Sequence, residues 1–301
     1  MTTTLFFCDR PRFDGSAIEL GQFEATGPLL VLVGAWGPFF ELLAGKQKLT
    51  SGRLLLGGEP AQDAVAAGQV GLMLADAPLP STWTLLESAA HSGGLCGMSR
   101  GEAARAIREV GKELGLTDQL NRPFSKLSVI DKRLGGIAIA LLGEPELVVL
   151  EAPFSGLEPS ARAALAGSLG RVLRGRNALV SVAELPGSLE QDSFVQSSDE
   201  LLFVTERGLT ARGRYAELTA AGAQYRLAVL RHADELCARL AELGYSVQPR
   251  VATDGLGVLV SDPDAHGTRG LLEAALAVDA PIVELSPVQL RPEGAAAAAG
   301  D

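Results

Sequence analysis

Two short stretches carry most of the chemistry this sequence offers. The first follows the apolar run Pro28–Val33 and reads Gly34-Ala35-Trp36-Gly37-Pro38. A glycine turn between a buried strand and a helix is where backbone N–H groups gather around an anion, completed by a lysine and a hydroxyl. This turn holds neither, and Pro38 has no N–H to give. Lys46 and Lys48 come only after the next apolar segment, Phe39–Gly45, and so point elsewhere. The second stretch is Glu151-Ala152, directly after the apolar run Leu147–Leu150. A carboxylate at the C-terminal end of a buried strand faces the crevice where α/β sheets bind ligands, and in principle can hold magnesium. The other candidates are isolated. Cys8, Cys96 and Cys237 have no metal or redox spacing, which suits ordinary thiols in a reducing compartment, and His91 is a lone histidine that reads as a surface residue.

The elements that position these stretches follow from apolar periodicity. Leu127–Pro159 predicts a short loop, a buried Gly/Ala-rich helix, a turn at Gly143-Glu144-Pro145, the strand Leu147–Leu150 and an acidic turn. The strand is apolar throughout, as a parallel strand covered on both faces must be. Phe6-Phe7 and Ala17–Phe23 alternate roughly and predict an antiparallel opening; Gly68–Leu74 and Ala178–Val182 read as further strands. Ser99-Arg100-Gly101-Glu102 is a capping box, followed by apolar Ala103, Ile107, Val110 and Leu114 and the stop Gly115. Ala161–Gly175 reads as an amphipathic helix, and Glu200–Val204 with Gly208–Gly213 as a hairpin. From Tyr225 the order is strand, helix, strand, strand, helix, strand, which is ferredoxin-like.

These motifs resemble the nucleotide-binding subunits of ABC transporters. Leu127–Pro159 aligns without a gap over 33 positions with the family's signature, helix and strand block. The likeness implies an α/β fold: a P-loop NTPase-like domain of the ABC type over 1–220, with a mixed sheet and a helical subdomain at about 84–126. A C-terminal ferredoxin-like α+β module over 225–290, of a size found in the drug- and polysaccharide-exporting branch, and a disordered tail over 291–301 complete it. Tyr215–Ala220 would begin the usual closing helix.

At the chemically active positions the sequence departs from the family. Its GPNGAGKSTLLRLLAG is here GAWGPFFELLAG, shorter by four residues, with Pro38 in place of the stretch bearing the lysine and hydroxyl. Each charge-assisted bond to phosphate is worth about 1.5–3 kcal/mol. Losing three removes roughly 4–9 kcal/mol, against about 8 kcal/mol for a micromolar affinity. Trp36 reads as a plug in the vacated pocket rather than a base-stacking platform. The family's metal-touching glutamine falls on Ala75, its metal-binding aspartate on Glu151, its catalytic glutamate on Ala152 and its switch histidine on Ala183. The signature LSGGQ is LSVID, so Val129 and Ile130 replace two glycines and only Ser128 remains to donate to a phosphate. Ser155-Gly156-Leu157-Glu158 matches a turn that lies at the family's dimer surface. Pro80–Glu87 matches the segment that docks on the membrane subunit, with Trp83 either its exposed anchor or packed locally.

The resemblance therefore implies a pseudo-ATPase: no catalytic residue, no nucleotide or magnesium cofactor, and a role as scaffold or regulator in a transport complex. Its partners would be a membrane permease, an active ATPase subunit or both, at the inner face of the membrane. Two other readings stand beside it, a weak ATPase forming half of a heterodimeric exporter and a soluble interaction protein detached from transport. Composition sets limits on all three. A formal net charge of −10 argues against nucleic acid and against an anionic membrane surface. The N-terminus has no secretory pattern, and the longest uncharged run, Ala25–Phe40, is too short and too rich in Gly and Pro to span a bilayer. A membrane is reached through partners.

Overall fold

The computed structural model describes residues 4–75, 80–182, 193–205, 208–215, 223–252, 255–262 and 267–288. The backbone divides into two compact units, Met1–Arg214 and Tyr215–Asp301.

The larger unit is built on a mixed six-stranded sheet. Its strands are β3 (Leu29–Gly34), β6 (Val70–Met73), β7 (Leu147–Leu150), β8 (Asn177–Val182), β9 (Glu200–Thr205) and β10 (Gly208–Gly213), in the order β10-β9-β3-β8-β7-β6. All neighbours run parallel except the β9/β10 hairpin. The parallel strands are the continuous apolar runs of the sequence, and every residue of β7 is buried. Since β3, β6, β7 and β8 run the same way, their C-terminal ends share one edge of the sheet. Both chemistry-bearing stretches begin at that edge.

An antiparallel sheet, β2-β1-β4-β5, lies beside it, formed by β1 (Phe6–Phe13), β2 (Gln22–Ala25), β4 (Leu49–Leu56) and β5 (Glu59–Pro60). Alternation over Ala17–Phe23 predicted a longer second strand. Ile18 and Leu20 are indeed buried, but ladder pairing begins only at Gln22. Gly15 and Gly21 take φ of 69° and 73°, so the segment turns instead of extending. Side-chain alternation reported burial there, not pairing.

The helices are α1 (Gly37–Leu43), α2 (Ala61–Ala66), α3 (Leu85–Leu95), α4 (Arg100–Glu113), α5 (Val129–Ala140), α6 (Pro159–Val172) and the short α7 (Ser193–Gln196). Between β6 and α5 the chain leaves the sheet to form a helical insert around α3 and α4. The predicted box caps α4: the Ser99 hydroxyl accepts from the Glu102 N–H at 3.3 Å, and the Glu102 carboxylate accepts from the Ser99 N–H at 2.7 Å. Gly115 follows α4 at φ 75°. A second box, unforeseen, starts α3 with Thr84 and Glu87, at 3.2 and 2.7 Å. The T-x-x-E spacing is present in the sequence but lies inside a stretch whose family likeness drew the reading toward docking.

The smaller unit has the predicted strand and helix order. Strands β11 (Ala223–Val229), β12 (Ser246–Ala252), β13 (Gly255–Asp262) and β14 (Ile282–Val288) form the antiparallel sheet β12-β13-β11-β14, with helices α8 (Ala233–Glu242) and α9 (Gly267–Ala277). That order is the ferredoxin-like one, and its core gathers Leu227, Leu236, Leu240, Val260 and Leu271. The predicted closing helix from Tyr215 and the C-terminal tail lie outside the described residues except for Tyr215 itself.

Candidate functional site

The turn after β3 is where an anion cradle would sit, and its donors are spent internally. Gly34 has φ 92°, and a Cβ there would lie 2.2 Å from the Val204 carbonyl oxygen. The glycine is required by the close approach of β9, whose Val204 carbonyl also accepts from the Ala35 N–H at 2.8 Å. The Trp36 N–H donates to the Gly34 carbonyl, and the N–H groups of Phe39 and Phe40 both donate to the Trp36 carbonyl. Pro38 stands in the first turn of α1 and donates nothing. Lys46 and Lys48 are exposed beyond the helix.

Trp36 is 2% exposed. Its indole N–H points at two carbonyl oxygens, Val33 at 3.2 Å and Leu202 at 3.3 Å. The ring packs at 6.0 Å from Phe6 and 5.9 Å from Phe39, which in turn contacts Phe40 at 5.1 Å. An indole buried with its one donor satisfied is a core residue. A base-stacking platform would need an accessible face, and this ring has none.

At the neighbouring strand ends, Glu151, Ala152 and Ala75 come together. The Glu151 carboxylate accepts from the Ala75 N–H at 3.0 Å. Ala152 takes φ 42°, uncommon for a residue with a Cβ, and its N–H donates to the buried Ser181 hydroxyl at 2.8 Å. The Arg133 guanidinium donates to the Ala75 carbonyl at 3.2 Å and to the Ser155 carbonyl at 3.4 Å. Sequence reasoning missed Arg133 and Ser181. Ser181 was signalled only as a hydroxyl inside a buried apolar strand, and Arg133, at the end of the charged run Asp131-Lys132-Arg133, by nothing that set it apart. Ala183 lies outside the described residues. Among the described residues no cluster of three or more His, Cys, Asp or Glu has the arrangement of a metal site.

Ser128 is the N-cap of α5. Its hydroxyl accepts from the Asp131 N–H at 3.1 Å and donates to the Asp131 carboxylate at 2.8 Å. The hydroxyl read as available to a phosphate is therefore engaged by its own helix. Val129 is 59% exposed beside it, and Ile130 is half-buried. Ser155, Gly156 and Glu158 are exposed and Leu157 half-buried, in the turn that leads to Pro159 at the start of α6. Trp83 falls between its two readings: half-buried, with its ring edge-on to exposed His91 at 5.4 Å. Cys8 is buried, and burial, reinforced by Asp9 beside it, pushes its thiol up to about 12. Such a thiol is inert.

No family model matches the chain. The Fe(3+) ions import ATP-binding protein FbpC of Brucella melitensis is 27% identical over 280 residues, spanning 84% of this chain and 78% of that protein. The linearmycin resistance ATP-binding protein LnrL of Bacillus subtilis is 28% identical over 150 residues, 49% of this chain and 48% of that protein. Among solved structures, cbiO1 of Clostridium perfringens, described as part of the ABC transporter complex cbiONQ, matches with a TM-score of 0.60 at 15% identity, covering 72% of this chain and 91% of that one. At such identity the structural likeness speaks for the fold, and that fold is the ATP-binding cassette.

Proposed function

We propose that this chain, built on an ATP-binding-cassette domain, is a non-catalytic subunit that acts as scaffold or regulator in a membrane transport complex. The observation that carries the reading is the turn after β3. The backbone donors of Ala35, Trp36, Phe39 and Phe40 end on carbonyls of this chain, and the Trp36 indole beside them is buried with its own donor satisfied, which supports the absence of a phosphate cradle. Mg-ATP does not fit the residues present: there is no lysine or hydroxyl in the turn, and the carboxylate at the end of β7 already holds a backbone amide. Ala152 offers no base, and removing a general base alone costs about 10²–10⁴-fold in rate.

The transport role is supported by the likeness to ATP-binding subunits of importers and resistance transporters. The partner is a membrane permease, an active ATPase subunit or both, and the chain sits with them at the inner membrane face. No described helix is long and apolar enough to cross a membrane, which fits attachment through a partner. Pairing with an active subunit through the family's head-to-tail face does not close on nucleotide, because Val129 and Ile130 occupy positions where a glycine backbone would approach the terminal phosphate.

Calorimetry with Mg-ATP tests the first half of the reading. No saturable heat is expected at concentrations up to the millimolar range, and binding in the micromolar range would overturn it. Affinity purification from detergent-solubilised membranes tests the second half. A co-purifying permease or ATPase is expected, and recovery of the chain without either favours a role outside transport.

A further inference from the structure

The helical insert is joined to the parallel sheet by two crossings of the chain. The chain goes out after β6 at Leu74-Ala75 and returns through Ser128–Arg133, the first turns of α5. Both crossings meet at one residue, Ala75. From the sheet, the Glu151 carboxylate accepts the Ala75 N–H at 3.0 Å; from the returning helix, the Arg133 guanidinium donates to the Ala75 carbonyl at 3.2 Å. The same guanidinium reaches the Ser155 carbonyl in the turn beyond β7, and the Glu151 N–H donates to the Met73 carbonyl at 2.8 Å.

Beyond this point the insert is tied to itself. The Phe124 N–H donates to the Trp83 carbonyl, the Ser125 N–H to the Ser81 carbonyl and the Leu86 N–H to the Leu120 carbonyl, at 2.9, 2.9 and 3.3 Å. The insert is thus hydrogen-bonded to itself, and its return into α5 carries Arg133 against the Ala75 carbonyl. Those contacts are charge-assisted at both the N–H and the carbonyl of Ala75, the stronger kind of hydrogen bond.

We propose that Glu151 and Arg133 are positioning residues of a latch that closes on the backbone N–H and carbonyl of Ala75 and holds the helical insert, with its Trp83 face, in one orientation on the sheet without any bound ligand. Every group in it belongs to this chain, so neither nucleotide nor ion is needed to close it. Functionally it gives a partner a docking face that does not respond to nucleotide. That consequence rests on the scaffold reading above, whereas the latch itself does not.

Hydrogen exchange read by mass spectrometry on the full chain tests it, comparing wild type, Glu151→Ala, Arg133→Met and Glu151→Gln with and without Mg-ATP. In Glu151→Ala and Arg133→Met, residues 81–127 are expected to exchange about tenfold faster, the effect of losing one such bond on local opening. Exchange in β3 and β8 stays as in wild type. Glu151→Gln, which still presents an acceptor oxygen, recovers most of the protection. Exchange over 81–127 equal to wild type in both loss variants overturns the proposal. So does an equal rise in β3 and β8, which would make the two residues merely structural. Slower exchange on adding Mg-ATP at 34–40 alone would overturn the non-catalytic reading and leave the latch standing; slower exchange over 81–127 would overturn the latch. Should Glu151→Ala fail to fold, Arg133→Met carries the test by itself, since it leaves the carboxylate on the Ala75 amide.

Discussion

The turn after β3 and the helical insert solve opposite problems. The turn is dry: Trp36, Phe6, Phe39 and Phe40 are each at most 2% exposed, and the backbone donors of Ala35, Trp36, Phe39 and Phe40 end on carbonyls of the same chain. The insert packs a core of its own around Leu85, Ile107 and Leu116, and is braced at its surface by two capping boxes whose four groups are all solvent-accessible and by the zipped backbone between 81–86 and 120–125. An anion cradle needs its N–H groups left unpaired until a ligand arrives, and the turn leaves few so. A docking element needs an exposed face on a rigid frame, and local caps supply the frame without using the face. The difference teaches that family likeness in pattern and length says nothing by itself about chemistry. What decides it is whether the donors are spent.

The sharpest way to break this comparison is Trp36→Ala. Removing a fully buried tryptophan costs about 3–5 kcal/mol, through lost burial and the cavity left behind. Two carbonyls also lose their donor. For a unit of this size each kcal/mol moves the melting temperature by roughly 2–4 °C, so a fall on the order of 10 °C is expected by calorimetry or circular dichroism. A melting temperature unchanged within about 2 °C would show that the indole is not a core plug, and the contrast with the insert would fail.

The sheet was legible in the sequence because its strands are short apolar runs, and a run such as Leu147–Leu150 admits few other placements. The Ser99 box was legible because its signal is local. Ala17–Phe23 misled because alternation reports burial, and two glycines with positive φ turn the segment before it can pair. Within the site, Trp36 could be read because a large apolar ring in a glycine turn has few places to go. The clasp on Ala75 could not. It joins residues 76 and 58 positions apart, through a backbone N–H and a backbone carbonyl that no side-chain pattern announces. Ser128 shows the same limit: its hydroxyl looked available until the Asp131 carboxylate three residues on was seen to take it.

A smaller effect sharpens the comparison from the insert's side. Thr84→Ala and Ser99→Ala each remove an N-cap worth about 1 kcal/mol, and they sit at the starts of α3 and α4 with the length of α3, about 16 Å, between them, far enough to act almost additively. The double variant should lose about 2 kcal/mol by urea titration. The same caps set a pH dependence. Hydrogen bonds from the Thr84 backbone and hydroxyl hold the Glu87 carboxyl below its ordinary 4.5, and those from the Ser99 hydroxyl and backbone do the same for Glu102. A carboxyl lowered in the folded state contributes stability that is complete above the unfolded value and is lost as pH falls through the folded one. The acid-side fall in melting temperature, measured from pH 6 to pH 3, should therefore be shallower in the double variant than in wild type. Parallel curves would mean that the caps do not couple to protonation in solution. Trp36→Ala should leave the slope unchanged, since none of the rings around it titrates.

A change in stability of similar modest size is the most informative about function. In Trp83→Ala the two backbone bonds at this residue survive, because the Trp83 N–H still donates to the Pro80 carbonyl and the Phe124 N–H to the Trp83 carbonyl. What is lost is the edge contact with His91 and the burial of a half-buried indole. An aromatic pair contributes about 0.5–1.5 kcal/mol beyond its buried area, with exposed pairs at the low end. With about half the cost of truncating a fully buried tryptophan added, the melting temperature should fall by roughly 5 °C, about half the fall expected for Trp36→Ala. Large aromatic side chains with one face in water are also what dominates the energetics of protein interfaces. If the insert is the docking element, truncating Trp83 should cut co-sedimentation of the chain with membranes several-fold while the fold stays intact. Two results count against this. A fall of about 10 °C would place Trp83 in the core alongside Trp36 and erase the contrast between the two regions. Full membrane recovery with an intact fold would move the docking surface elsewhere and leave the insert as a rigid body with no partner assigned to its Trp83 face.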